Sequence, residues 1–131
     1  MSTSKSSVSN FDIKTVGPGL WHILHTSAIY AKEQQSMDEF ERFLENIKKS
    51  IRCDTCLNEF VEFQNKNPLS SYRRIKTKQG LSVGFYIWTW KLHNAVNEKL
   101  GKPQADLKDT YLYYSGTSVC FACISSQYRN L

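Results

Sequence analysis

Between Leu81 and Leu100 runs the strongest helical repeat in the chain, and the rest of the fold has to accommodate it. Leu81, Phe85, Trp88, Leu92, Ala95 and Val96 recur at spacings of three and four, which places them on one face of an α-helix and predicts a core stripe. A second strip carries Tyr86, Trp90, His93 and Asn97. Two large aromatics and two hydrogen-bonding side chains on one strip suit a flat heteroaromatic ligand. Gly101 follows as the expected C′ residue, with Pro103 just beyond it. A helix with such a core stripe needs other elements to pack against it.

The flanking segments supply them. Gly17-Pro18-Gly19 breaks the chain before a helix expected over 20–33, where Trp21, Leu24, Ala28 and Ala31 share one side. The glycine spacing, with no strand before it, is not that of a dinucleotide fingerprint. Ser36 is the expected N-cap of a second helix, with Glu39 three residues on completing a capping-box pattern. Its stripe is Phe40, Phe43, Leu44 and Ile47, for which core packing is explanation enough. A third helix runs from Leu57 to Gln64, with Asn67-Pro68 after its end, and a short fifth is expected over 105–114. Strand alternation is not evident. The chain reads as all-α: a four-helix bundle with a short fifth helix.

Cys53-Asp54-Thr55-Cys56 sits where the second helix ends and the third begins. Two intervening residues let both sulfurs meet on one turn. The positive end of the helix dipole favours thiolate and lowers a cysteine pKa from its free value of about 8.5. Lys48, Lys49 and Arg52 crowd the same junction. Such a pair can cycle between dithiol and disulfide, or supply half of a zinc site. Cys120 and Cys123 form a second pair in the tail. Without a visible signal peptide the default compartment is reducing, where paired cysteines are more often catalytic or metal-binding than staples. His22 and His25 stand three apart, but no carboxylate at helical spacing completes a metal site. Taken alone, His25 reads as a core histidine.

The remaining features exclude more than they assign. With 131 residues the chain suits one domain. Residues 1–12 are rich in Ser and Thr and read as a disordered tail, with the segment 11–16 irregular. No apolar run approaches the roughly 20 residues of a membrane span. The net charge of +5 leaves nucleic acid, an anionic cofactor or an acidic partner open. Arg73, Arg74, Lys76 and Lys78 form the densest basic cluster and read as a solvated loop, and no nucleic-acid-binding signature accompanies it. Tyr111, Tyr113 and Tyr114 read as packing or as partner surface.

Three stretches in order resemble the Erv/ALR family of FAD-linked sulfhydryl oxidases, including its short forms from large DNA viruses. They are Gly19-Leu20-Trp21-His22-Ile23-Leu24-His25-Thr26, then Cys53-Asp54-Thr55-Cys56, then Trp88 to Pro103, which reads WTWKLHNAVNEKLGKP. The resemblance implies a domain over 13–115, with residues 116–131 as a tail. It implies a helical bundle holding FAD at one end, as a homodimer. It gives Cys56 the place against the flavin and Cys53 the exchange with incoming thiols. It places Gly17, Gly19, Trp21, His25 and Tyr30 at the cofactor from the first helix. Trp88, His93, Asn94, Val96, Asn97, Lys99 and Leu100 would line it from the fourth, with Lys102 near the phosphates. The implied activity takes two electrons from a protein dithiol, reached directly or through a thioredoxin-like relay, and gives them to O2, making H2O2.

The chain departs from the family where 102–106 carry no cysteine, so a staple found in some members is absent. Cys120 and Cys123 match no fixed motif. They read as a shuttle dithiol feeding Cys53 and Cys56, as a structural pair, or as zinc ligands shared with Cys53 and Cys56, the last disfavoured by spacing. Analogy with viral members implies the cytoplasm of an infected cell, or the virion, as the place of action. The rival function is a zinc-stabilised helical binding module with a basic surface. A thioredoxin-like reductase is disfavoured because no βαβ pattern is present.

Overall fold

The computed structural model describes residues 17–124. The tail expected over 1–12, the irregular segment 11–16 and the last residues of the chain lie outside the described residues. Five α-helices follow in order: α1 Gly17–Tyr30, α2 Gln34–Ser50, α3 Asp54–Lys66, α4 Gly84–Lys99 and α5 Leu107–Ser115. Short 3-10 turns occupy Leu69–Tyr72 and Phe121–Cys123. Among the described residues there are two isolated antiparallel bridges, Lys76 with Ser82 and Thr77 with Ile124, and no strand. The all-α reading is correct.

Helix α4 is the axis of the molecule. Every residue from Gly84 to Thr89 is buried, which a helix reaches only when it is covered on all sides. The division into a core strip and a ligand strip is therefore corrected: Tyr86, from the second strip, is as deeply buried as Trp88 from the first. Ala95, expected in the core, is exposed: in the last turns the buried face is that of Asn94 and Asn97, and Ala95 lies off it. Gly101 has φ +70° and ends the helix as expected.

The other helices cover different sides of α4. Helix α1 packs on α4, α5 and α2 and buries Leu24 and Ala28; Ala31, just past its end, is buried too. From α2, Phe40 brings its ring 5.3 Å from that of Phe85. Helix α3 meets Trp88 edge-on with Phe60 and Phe63, at 6.5 and 5.4 Å between centroids. Helix α5 sets Tyr111 edge-on to Tyr86 at 5.0 Å. Its ends are fixed by Asp106, which accepts the N–H of Asp109, and by Gly116 at φ +77°.

Three local expectations change. The N-cap of α2 is Glu33, not Ser36. Ser36 lies in the first turn, where its hydroxyl oxygen accepts the N–H of Glu33 at 3.0 Å; Glu and Ser have exchanged their usual places in the box. Arg73 is not a solvated loop residue. Its guanidinium bonds Asp38 at 3.0 Å and Glu41, and lies 5.9 Å above the Phe85 ring. Arg74, Lys76 and Lys78 remain exposed. Finally, Gly84 carries a constraint the periodicity did not reveal. A Cβ there would fall onto the carbonyl of Tyr72 and lie 3.1 Å from the Cβ of Ile75, so only glycine lets the start of α4 dock on the preceding turn.

Candidate active site

Cys53 is the N-cap of α3 and Cys56 lies in its first turn. The N-cap position normally belongs to an oxygen that accepts a free N–H. Here sulfur takes that place: Cys53 Sγ accepts the N–H of Cys56 at 3.2 Å. Both cysteines are free and exposed. The hydrogen bonds that Cys56 offers from its side chain and its backbone pull the Cys53 pKa down. The shared hydrogen bond with Cys53 pushes the Cys56 pKa up, with partial burial adding to it and the Lys99 cation opposing it. When the reduced pair gives up a proton, it is therefore Cys53 that ionises first and Cys56 that keeps its proton.

Lys99, at the last turn of α4, links this pair to the second part of the site. Its ammonium pairs with Glu59, one turn beyond Cys56 on α3. Six residues back on α4, His93 lies under Trp21. The rings stack with centroids 4.0 Å apart and planes 6° from parallel. His93 Nδ1 is 3.0 Å from His25 Nε2, and His25 Nδ1 is 2.9 Å from Thr89 Oγ1. His25 is 1% exposed and lies against Tyr114 and Tyr86 at 4.6 and 5.5 Å. Burial, with His93 and His22 nearby, lowers the His25 pKa to about 3. Burial, with Lys102 nearby, lowers that of His93 to about 4. Both imidazoles are neutral at pH 7.

The other sequence-predicted residues fall into distinct places. Asn94 spends its amide on the chain beyond α4: Oδ1 accepts the N–H of Ala105 at 2.8 Å and Nδ2 donates to its carbonyl at 3.0 Å. Asn97 is buried beside it and donates to Asn94 Oδ1 at 3.4 Å, while its carbonyl accepts the N–H of Lys102. These two asparagines hold the turn that carries Lys102. Val96 is half-buried, and Lys99, Leu100 and Lys102 are exposed. Trp88 is buried, with Nε1 donating to Asn67 carbonyl at 2.7 Å. Gly17 and Gly19 lie in the first turn of α1, which presents Trp21. Tyr30 ends that helix at 77% exposed and borders a hollow of about 260 Å³ with Ser27, Ser36, Glu39, Phe40 and Phe43. A larger hollow of about 510 Å³ lies along α2. Neither contains a cysteine or histidine, so side-chain chemistry rather than concavity marks the site.

Sequence reasoning missed Thr89, Tyr114 as the cover of His25, and Glu59. Thr89 precedes His93 by one helical turn, a signal that was available. His22 does not join His25 in a metal pair: it is exposed and meets Tyr114. Among the described residues no three His, Cys, Asp or Glu side chains gather to hold a metal ion. Cys120 and Cys123 are joined to each other in a disulfide. The ring of Phe121, between them, lies 5.4 Å from Tyr111 and 6.4 Å from Tyr86. Cys123 carbonyl accepts the N–H of Lys78 at 2.9 Å. Tyr86 and Trp88 point about 200° apart around α4, so the tail disulfide and α3 flank opposite sides of that helix.

The donor set fits FAD. Neutral rings are available for its ring systems, exposed Lys102 for its phosphates, and a dithiol stands near Lys99. Among the described residues, no helix is long and apolar enough to cross a membrane.

Known proteins resemble the chain over much of its length. The family model described as Erv1 / Alr matches residues 18–115. An FAD-linked sulfhydryl oxidase of African swine fever virus is 30% identical over 89 residues, covering 66% of this chain and 68% of the viral protein. Sulfhydryl oxidase 2 of Arabidopsis thaliana is 29% identical over 96 residues, covering 73% of this chain. The FAD-linked sulfhydryl oxidase ERV1 of Oryza sativa is 29% identical over 91 residues, covering 43% of the rice protein. The chain spans only 18% of the Arabidopsis protein.

Proposed function

The chain belongs to the Erv1/Alr family, and from that membership we propose that it is an FAD-linked thiol oxidase that makes disulfides in other proteins. The observation that carries the reading is the Cys53–Cys56 pair capping α3, with Lys99 pairing to α3 through Glu59 from the same helix that carries His93 of the Trp21–His93 stack. Bound FAD supplies a two-electron acceptor between the dithiol and O2. The balanced reaction takes two thiols and O2 to one disulfide and H2O2.

The chain's own residues divide the work. With Cys53 and Cys56 oxidised, an incoming thiolate attacks Cys53 Sγ and Cys56 leaves. A second substrate thiol then attacks the mixed disulfide, and Cys53 leaves with both electrons of the broken bond. The hydrogen bonds that favour a charged Cys53 make it a good leaving group in that second step. Lys99 favours charge on Cys56. Trp21 and His93 bind the ring system, Asn94 and Asn97 hold the turn bearing Lys102, and Lys102 faces the phosphates. Gly17, Gly19, His25, Tyr30, Trp88, Val96 and Leu100 complete the proposed cofactor surface.

We propose Cys120 and Cys123 as a second redox pair that receives electrons from substrate. Relay to Cys53 of the same chain requires Phe121 to leave Tyr86 and Tyr111, because the pair is seated across α4 from α3. Homodimerisation and a thioredoxin-like partner belong to the same proposal through the family resemblance alone, and action in an infected cell through the viral source of one relative.

A visible absorption spectrum of the purified chain tests the reading. A flavin band that bleaches on adding dithiothreitol and returns in air is expected. A colourless protein that takes up no added FAD overturns it, and bound zinc released by chelator would favour the binding-module alternative.

A further inference from the structure

Thr89, His25 and His93 form a continuous hydrogen-bonded chain from the core to the ligand-facing stack. Its proton order turns on where the one Thr89 hydroxyl proton points. Thr89 Oγ1 is 2.8 Å from the Tyr86 carbonyl, which can only accept. A helical threonine commonly gives its proton to the carbonyl one turn back, here that of Tyr86. Thr89 Oγ1 can then only accept from His25 Nδ1, 2.9 Å away. A neutral imidazole protonated at Nδ1 has a lone pair at Nε2. His25 Nε2 thus accepts from His93 Nδ1 at 3.0 Å. His93, neutral and protonated at Nδ1, is left with a lone pair at Nε2. That atom makes no hydrogen bond within the described residues, and no fully buried side-chain nitrogen or oxygen among them lacks a partner. His93 Nε2 is accordingly open to a ligand.

We propose that Thr89 is a positioning residue: by fixing this proton order it makes His93 an acceptor at Nε2, so that the site selects a ligand edge that donates an N–H or O–H. The inference rests on the cofactor reading above, in which that edge belongs to FAD. The opposite order is the competing possibility. If Thr89 turned its hydroxyl toward His25, both histidines would be protonated at Nε2, and His93 would offer a donor instead. Removing the hydroxyl removes the only acceptor at His25 Nδ1. A buried Nδ1–H without a partner is costly, so the histidine chain reverses and the outward face of His93 changes from acceptor to donor.

The test is imidazole nitrogen NMR on the full chain, together with FAD titration, for wild type, Thr89→Val and Thr89→Ser. In the wild type without FAD, His25 and His93 are expected to be protonated at Nδ1. Thr89→Val should move both to Nε2 and weaken FAD binding about tenfold, the cost of one unpaired buried group; Thr89→Ser should restore both. Wild-type histidines protonated at Nε2 overturn the proposal with no variant needed, so a Thr89→Val chain that does not fold leaves it decidable. A Thr89→Val chain with unchanged tautomers, or a Thr89→Ser chain as impaired as the valine, also overturns it. Failure of the wild type to bind FAD would overturn the functional reading instead, and leaves the proton order to be judged by the nitrogen shifts alone.

Discussion

Cys53 caps its own helix with sulfur, accepting the backbone N–H of Cys56 at 3.2 Å. An N-cap residue is normally judged by what it gives to stability. Here the same bond adds to the hydrogen bond between the two thiols, and both draw charge toward Cys53.

The first prediction follows from that division. In the reduced protein, iodoacetamide should alkylate Cys53 well before Cys56, since thiolate is the reactive form and only Cys53 is shifted toward it. Peptide mass spectrometry after short exposure reads the order. Preferential labelling of Cys56 would contradict the assignment. Cys53→Ser should abolish thiol oxidation while leaving any bound flavin colour.

The two histidines give a pH dependence of known sign. In the unfolded chain each takes up a proton near its ordinary pKa of about 6.5. In the folded chain protonation waits until about 4 for His93 and about 3 for His25. Between these values the unfolded state binds more protons, so stability falls as pH falls. Urea midpoints should be steady above about pH 6.5 and decline below it. A midpoint unchanged down to the His93 value of about 4 would show that the imidazoles are not held neutral by the fold.

Gly84→Ala should destabilise the protein by about 3 kcal/mol, as overpacking against backbone does. The added methyl has no space beside the Tyr72 carbonyl. Thermal or urea unfolding measures the loss. Gly19→Ala is the control, since a Cβ there meets nothing within 4 Å; an equal loss at both positions would refute the steric account.

If Cys120 and Cys123 relay electrons, Cys120→Ser with Cys123→Ser should slow oxidation of a reduced protein relative to dithiothreitol. Oxygen consumption with each substrate gives the ratio. An unchanged ratio would leave the disulfide as a fastening for the tail against Lys78 and Tyr111.

What the sequence made legible was whatever depended on spacing along one helix. The stripe through Phe85, Trp88 and Leu92 placed α4, and Cys53-Asp54-Thr55-Cys56 placed the start of α3. Periodicity could not show that Tyr86 is buried too, because a helix covered on every side has no contrast between faces. It could not show Arg73 between Asp38 and Glu41, whose distance in sequence exceeds any local rule. Nor could it show Gly84 against Tyr72, since a requirement for empty space leaves no pattern. In the site, the motif residues were visible, and the spacing of Thr89 from His93 was visible too, but not its role, which exists only where His25 comes across from α1.

Helix α3 contributes no fully buried side chain. It is held by the edges of two phenylalanine rings, an indole N–H at its far end and one surface ion pair. For the proposed chemistry this matters mechanically. While a substrate is covalently attached to Cys53, any tumbling of that larger body exerts torque on the helix that carries the sulfur. A firmly embedded helix would pass the load to the core; one mounted by its rim can tilt and return. The joint at which two proteins are briefly one molecule is thus the part of the bundle that can give way without opening the rest.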